Sequence, residues 1–169
     1  VFTEDDAQLW VANKEDSTVT VFNVEDRSFV AVIDDDGIDS PEGITIKNGT
    51  AYVANRQGGS VTVITVATRE VVTTIDIGGD PRFIVATPDG EFLYCSTGGS
   101  SVIKIQTSDN TVVATIVVSG SSRNMSISPD GAHVFVGTQG SEMAVIDTTT
   151  DLVTTLGFEG RKFQSEGAP

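Results

Sequence analysis

The residues best suited to chemistry are the acids of Asp34-Asp35-Asp36-Gly37-Ile38-Asp39-Ser40-Pro41-Glu42. Several carboxylates on a loop that turns at glycine are what Ca²⁺ asks for, as hard oxygen ligands on a flexible scaffold. Asp34, Asp36 and Asp39 are therefore the candidate metal ligands, and Ca²⁺ the one cofactor the chain invites. The spacing lacks the alternate positions and closing bidentate glutamate of an EF-hand. A solvated acidic loop explains the same residues and is the preferred reading.

Other chemistry is sparse. His133 and Cys95 are the single members of their types, so neither a His/Cys metal cluster nor an intrachain disulfide can form. A general base needs a nucleophile or carboxylate converging on it, and the nearest acid to His133 in sequence is Asp130, inside a turn. Cys95 falls in the apolar run Phe92-Leu93-Tyr94-Cys95, where a small buried hydrophobe is the ordinary occupant. Nucleophile elbow, P-loop and dinucleotide fingerprint are all missing. The pairs Gly58-Gly59, Gly78-Gly79 and Gly98-Gly99 serve turns and not phosphates.

The whole chain constrains its partners. It has 169 residues, with 24 acids against 10 Lys and Arg and a formal charge of −14. Such a surface repels phosphate backbones, so nucleic acid is not an expected partner. No apolar run is long enough to span a bilayer. The sequence starts at Val1 without a leader, which fits a removed leader or a longer parent chain.

The elements that must position any site come from a repeat. Trp10-Val11-Ala12-Asn13 recurs as Tyr52-Val53-Ala54-Asn55, Tyr94-Cys95-Ser96-Thr97 and Phe135-Val136-Gly137-Thr138, at offsets of 42, 42 and 41 residues. A second strand follows each time (Val19-Thr20-Val21-Phe22, Val61-Thr62-Val63-Ile64, Val102-Ile103-Lys104-Ile105, Met143-Ala144-Val145-Ile146), and a polar turn leads to a third, such as Val71-Val72-Thr73-Thr74-Ile75. The remaining strand of each unit, such as Phe83-Ile84-Val85-Ala86, ends in a turn like Pro88-Asp89-Gly90. Four short strands at a spacing of about forty residues predict an all-β propeller made of four tandem four-stranded blades. The repeats fall at 1–40, 41–80, 81–121 and 122–161, with 162–169 starting a further innermost strand or a tail.

Taken together, the aromatic-Val-Ala-Asn strand, Val-x-Val-Ile, Val-Val-x-Thr-Ile, Gly-Gly-x-Pro and Ser/Thr-Pro-Asp-Gly resemble the YVTN-type β-propeller repeat. The first repeat departs most, with Glu4-Asp5-Asp6 in place of Pro-Asp-Gly and Asp34-Asp35-Asp36-Gly37 in place of the glycine linker. The resemblance implies a secreted, periplasmic or cell-surface setting and rings larger than four blades, most familiarly seven. Val1-Phe2-Thr3 aligns with Ile127-Ser128-Pro129, and Arg161-Lys162-Phe163-Gln164 with Pro81-Arg82-Phe83-Ile84. Three assemblies stay open: a self-closed ring, half of a homodimeric ring, or a segment of a larger propeller.

Propellers carry function on loops at one face and at the channel mouth, because the strands are used up by the core. The residues that start the innermost strands are Glu42, Arg82, Arg123 and Lys162, and the aromatic strands end nearby at Lys14, Asn55 and Arg56. Several of ten basic residues on one rim suggest a mouth for an anionic ligand or an acidic protein partner, while the preferred reading of the same residues is that they balance the neighbouring Asp80 and Glu42. Asn48-Gly49-Thr50 is a glycosylation sequon in a predicted exposed turn. The leading expectation is a non-catalytic binding or structural module. The alternatives are a propeller enzyme of the lyase or lactonase type working at the channel mouth, or a scaffold for a redox partner.

Overall fold

Val, Ile and Thr at alternating positions put one side chain on each face of a pleated strand. In the computed structural model, which describes residues 1–139 and 142–157, every such run forms an antiparallel strand. The first sheet holds β1 (Gln8–Asn13), β2 (Thr18–Asn23) and β3 (Phe29–Ile33). The second holds β4 (Pro41–Lys47), β5 (Thr50–Asn55), β6 (Ser60–Thr65) and β7 (Val71–Asp76). The third holds β8 (Ile84–Ala86), β9 (Phe92–Ser96), β10 (Ser101–Gln106) and β11 (Thr111–Val117). The fourth holds β12 (Ser122–Ile127), β13 (His133–Thr138), β14 (Glu142–Asp147) and β15 (Val153–Gly157). Each sheet runs in chain order from its inner to its outer strand, which is propeller blade topology.

The first residues pair with β1 along the inner edge of the first sheet. Phe2 bridges Leu9, and the backbones of Val1 and Trp10 exchange hydrogen bonds. The register differs by one residue from the sequence alignment. Phe2 pairs with Leu9 as Ile127 pairs with Val134. Thr3 therefore matches Thr87 and Ser128, not Pro129. All three hydroxyls donate to the aspartate two residues on: Thr3 to Asp5 (2.7 Å), Thr87 to Asp89 (2.5 Å) and Ser128 to Asp130 (2.6 Å). That turn chemistry fixes the register more firmly than the apolar pattern does, because the strand before it is so short.

The core lies between sheets, in three seams. Trp10, Val19, Val21 and Ile33 of the first sheet meet Ile46, Ala51, Val53 and Ile64 of the second. Tyr52, Ala54, Val61 and Val63 meet Ile84, Leu93, Cys95 and Ile103 across the next seam. Tyr94, Val102 and Ile116 meet Val134, Val136, Ala144 and Ile146 across the last. Trp10, Tyr52, Tyr94 and Phe135 oppose Val21, Val63, Lys104 and Val145 at the same place in successive sheets. The inner strand β4 packs against β1 on one side and β8 on the other, and β8 in turn against β12. At Gly43 that approach is so close that a Cβ would collide with the Arg82 carbonyl oxygen.

Candidate functional site

The ends of β1 and β5 and the starts of the inner strands meet on one rim. Lys14 and Arg56 each follow the asparagine that closes the aromatic strand, and the matching residues in the later sheets are Gly98 and Gln139. Lys14 Nζ stands 3.4 Å from Glu42 Oε2, and an Arg56 guanidinium nitrogen stands 3.8 Å from the same oxygen. Arg82 reaches Asp80 at 3.7 Å. These contacts are longer than a charge-assisted hydrogen bond. Glu42 Oε2 and Arg82 Nε are shielded from solvent and make no hydrogen bond among the described residues.

The third sheet uses a glycine to keep this rim basic. A Cβ at Gly98, whose φ is +69°, would lie 2.9 Å from Arg82 Nε. The Arg82 side chain thus occupies the space from which Lys14 and Arg56 project in the first two sheets. Arg123 stands at the equivalent inner-strand position of the fourth sheet and is exposed. Four successive sheets each contribute one cation to a chain that is otherwise strongly acidic. Lys162 lies outside the described residues.

Asn55 plays a different part from the one its sequence position indicates. It is fully buried. Its amide donates to Gly37 O (3.0 Å), Ser60 Oγ (3.1 Å) and Thr62 Oγ1 (2.7 Å), while its oxygen accepts from the Asp39 N–H (3.3 Å). The Thr62 hydroxyl also donates to Gly37 O. Asn55 therefore ties the acidic loop to the second sheet and presents nothing to a ligand. Asn13 makes the same clamp to Thr18 (3.0 Å) and Thr20 (2.6 Å).

The acidic loop is shaped by its backbone and its one apolar residue. Asp35 Oδ1 accepts from the Gly37 N–H (2.9 Å), and Ile38 is buried in the first seam. Asp34, Asp36 and Asp39 are exposed, and no three carboxylate, His or Cys side chains gather as metal ligands among the described residues. Burying Ile38 and anchoring the Asp39 backbone to Asn55 leave the three acids facing solvent. Asn48 sits in the two-residue turn between β4 and β5, exposed, with its amide donating to Asp89 O (3.3 Å) in the next sheet. Cys95 is wholly buried, and desolvation pushes its thiol up, away from the reactive thiolate. His133 is exposed on the fourth sheet.

One charged residue escaped the sequence reading. Lys104 stands where the other sheets carry Val21, Val63 and Val145, a break in the apolar pattern that was the available signal. Its ammonium donates to Thr148 O (2.9 Å) and Asp151 Oδ1 (2.8 Å), and lies 4.6 Å from the Phe92 ring centre and 5.7 Å from that of Tyr94. Burial works to lower its pKa, but the Asp151 bond and the Tyr94 hydroxyl outweigh it and hold the pKa above the usual lysine value.

Comparison with known proteins places this geometry. The sequence model of the family described as "Lactonase, 7-bladed beta-propeller" matches residues 1–112. Curated protein sequences yield no match. The solved structure of Kuenenia stuttgartiensis hydrazine synthase superposes with a TM-score of 0.84 at 22% identity, over 92% of this chain and 48% of that one. At that identity the likeness establishes the fold alone, and this chain spans about half the length of the one it matches.

Proposed function

Because this chain belongs to the lactonase, 7-bladed β-propeller family, we propose that its blades form part of a propeller whose mouth takes up a carboxylate-bearing ligand. The acidic segment of a protein partner, in an extracytoplasmic setting, is the ligand we favour. One observation carries this reading: Lys14, Arg56, Arg82 and Arg123 come from four successive sheets onto one rim, and among the described residues their side chains donate no hydrogen bond. Cations gathered on one rim of an otherwise acidic surface, three of them held only by loose ion pairs to Glu42 and Asp80, are an electrostatic funnel for anions. The repeat signature that resembles the YVTN type, and the acidic exterior, support a secreted or cell-surface module.

The test is calorimetric titration at low ionic strength with citrate and with a hexaglutamate peptide. Saturable binding is expected, weakened on the order of tenfold in Arg56→Ala and Arg82→Ala and lost at high salt. No binding of either probe at millimolar concentration would sink the reading. The family match favours a second reading, hydrolysis of a lactone at the same mouth. Turnover of a simple lactone that falls in both arginine variants, with the hexaglutamate peptide unbound, would establish that reading instead.

A further inference from the structure

Glu42 is out of place by the logic of its own repeat. The matching residues of the next two sheets are Arg82 and Arg123, so the same inner-strand position carries a cation twice and an anion once. The anion is also the one addressed by both cations of the first two sheets, at 3.4 and 3.8 Å, through a single oxygen. That oxygen is shielded from water and makes no hydrogen bond among the described residues. A carboxylate oxygen shielded in this way normally recovers its lost hydration through short bonds at about 2.7–2.9 Å, although the Glu42 side chain as a whole keeps 26% of its surface exposed. Glu42 gains only a loose Coulombic hold, because its backbone is fixed in β4 and its side chain falls short of both partners.

We propose that Glu42 is a resident competitor, a tethered carboxylate occupying the seat that a ligand carboxylate takes between Lys14 and Arg56. This rests on the anion-binding reading above and adds its regulation. A free carboxylate can approach each cation to hydrogen-bonding distance and displaces Glu42 toward solvent. Glu42 therefore sets a threshold, so that a single weak carboxylate loses to it while a ligand with several carboxylates wins. Charge removal at this seat has an effect that charge removal elsewhere on the same face does not. Asp16, in the turn between β1 and β2, is exposed and supplies the comparison.

The experiment titrates citrate and acetate into the unmodified protein, Glu42→Gln and Asp16→Asn, with Arg56→Ala alongside and the fold of each checked by urea denaturation. Expected is citrate binding tightened on the order of tenfold in Glu42→Gln, acetate binding appearing in that variant alone, and no change in Asp16→Asn. Glu42→Ala gives the same answer if the glutamine itself bridges the two cations. Binding in the unmodified protein that both Glu42 variants leave unchanged or weaken would overturn the inference, while the loss seen in Arg56→Ala would keep the anion-binding reading intact. An equal gain in Asp16→Asn would reduce the effect to net charge and overturn it too. Failure of citrate and acetate to bind any of the variants overturns the inference, and if the hexaglutamate peptide is unbound as well it overturns the reading with it.

Discussion

The seam between the second and third sheets and the seam between the third and fourth are built by the same repeat and held by different forces. The former closes on apolar side chains, with Leu93, Cys95, Ile103 and Ile105 of the third sheet against Tyr52, Ala54, Val61 and Val63 of the second. The latter has an equally apolar middle, but Lys104 replaces the expected valine and carries a charge to its rim, where Asp151 and the Thr148 carbonyl receive it. A valine contributes only through burial and packing. A buried ion pair repays desolvation only when its geometry is good, and leaves an uncompensated charge when one partner is removed. The two seams should therefore respond differently to the loss of a side chain.

The largest effect belongs to the apolar seam. Leu93→Ala is expected to cost about 3 kcal/mol, read as a lower urea midpoint with an unchanged slope, since Leu93 is fully buried. A cost under about 1 kcal/mol would mean that the sheets slide together to fill the cavity. Next comes Asp151→Ala, at about 2 kcal/mol, less than a fully buried pair because Asp151 is one-third exposed. Lys104→Met removes both the charge and its requirement, and should change stability by less than about 1 kcal/mol. If Lys104→Met costs as much as Asp151→Ala, the stacking of the ammonium on Phe92 and Tyr94 holds that seam more strongly than the ion pair does.

The smallest effect distinguishes the seams by pH. The Cys95 thiol has a raised pKa in the folded state, from desolvation in the apolar seam. Its contribution is complete below the unfolded thiol pKa of about 8.5 and declines as pH rises beyond it. Lys104, also raised, loses its contribution only above the ordinary lysine range near 10.4. Urea midpoints should therefore fall between about pH 8.5 and 10 in the unmodified protein, and Cys95→Ala should flatten that limb alone. A limb unchanged in Cys95→Ala would assign it to another group. On the acid side, hydrogen bonds from Lys47 to Glu4 and from Thr87 to Asp89 hold those carboxyls low. Their stabilisation is present above the unfolded carboxyl pKa values near 4 and is lost as pH falls through the folded ones.

The strands were legible in the sequence because alternation is a local property. Tyr52-Val53-Ala54-Asn55 and its copies announce their spacing without reference to anything distant, and the aromatic residues fall in matching places. The basic rim was legible for the same reason, since repeat position alone places Lys14, Arg56, Arg82 and Arg123. What the sequence hid depends on the neighbouring sheet. Asn55 reads as a rim residue, yet the acidic loop arriving from the first sheet covers it. Asp34, Asp36 and Asp39 read as a cluster, yet Ile38 between them is drawn into a seam that only the folded arrangement creates. Lys104 breaks the apolar pattern without revealing its partner, because Asp151, which receives its charge, comes 47 residues later.

Because each middle strand shows alternate side chains to different seams, its length is under a parity constraint. Tyr94 and Cys95 are chain neighbours that serve opposite sides of the third sheet. One residue inserted within β9 would exchange the two sets, sending the tyrosine into the space made for the thiol. Variation in repeat length must therefore be confined to the turns. The cross-strand partners bear this out: Trp10 with Val21 and Tyr52 with Val63 are 11 residues apart, Tyr94 with Lys104 and Phe135 with Val145 only 10. The missing residue lies in the turn that follows the aromatic strand, where Arg56 stands in the second sheet and Gly98 in the third, so the shorter turns belong to the two sheets whose cations come from the inner strand instead.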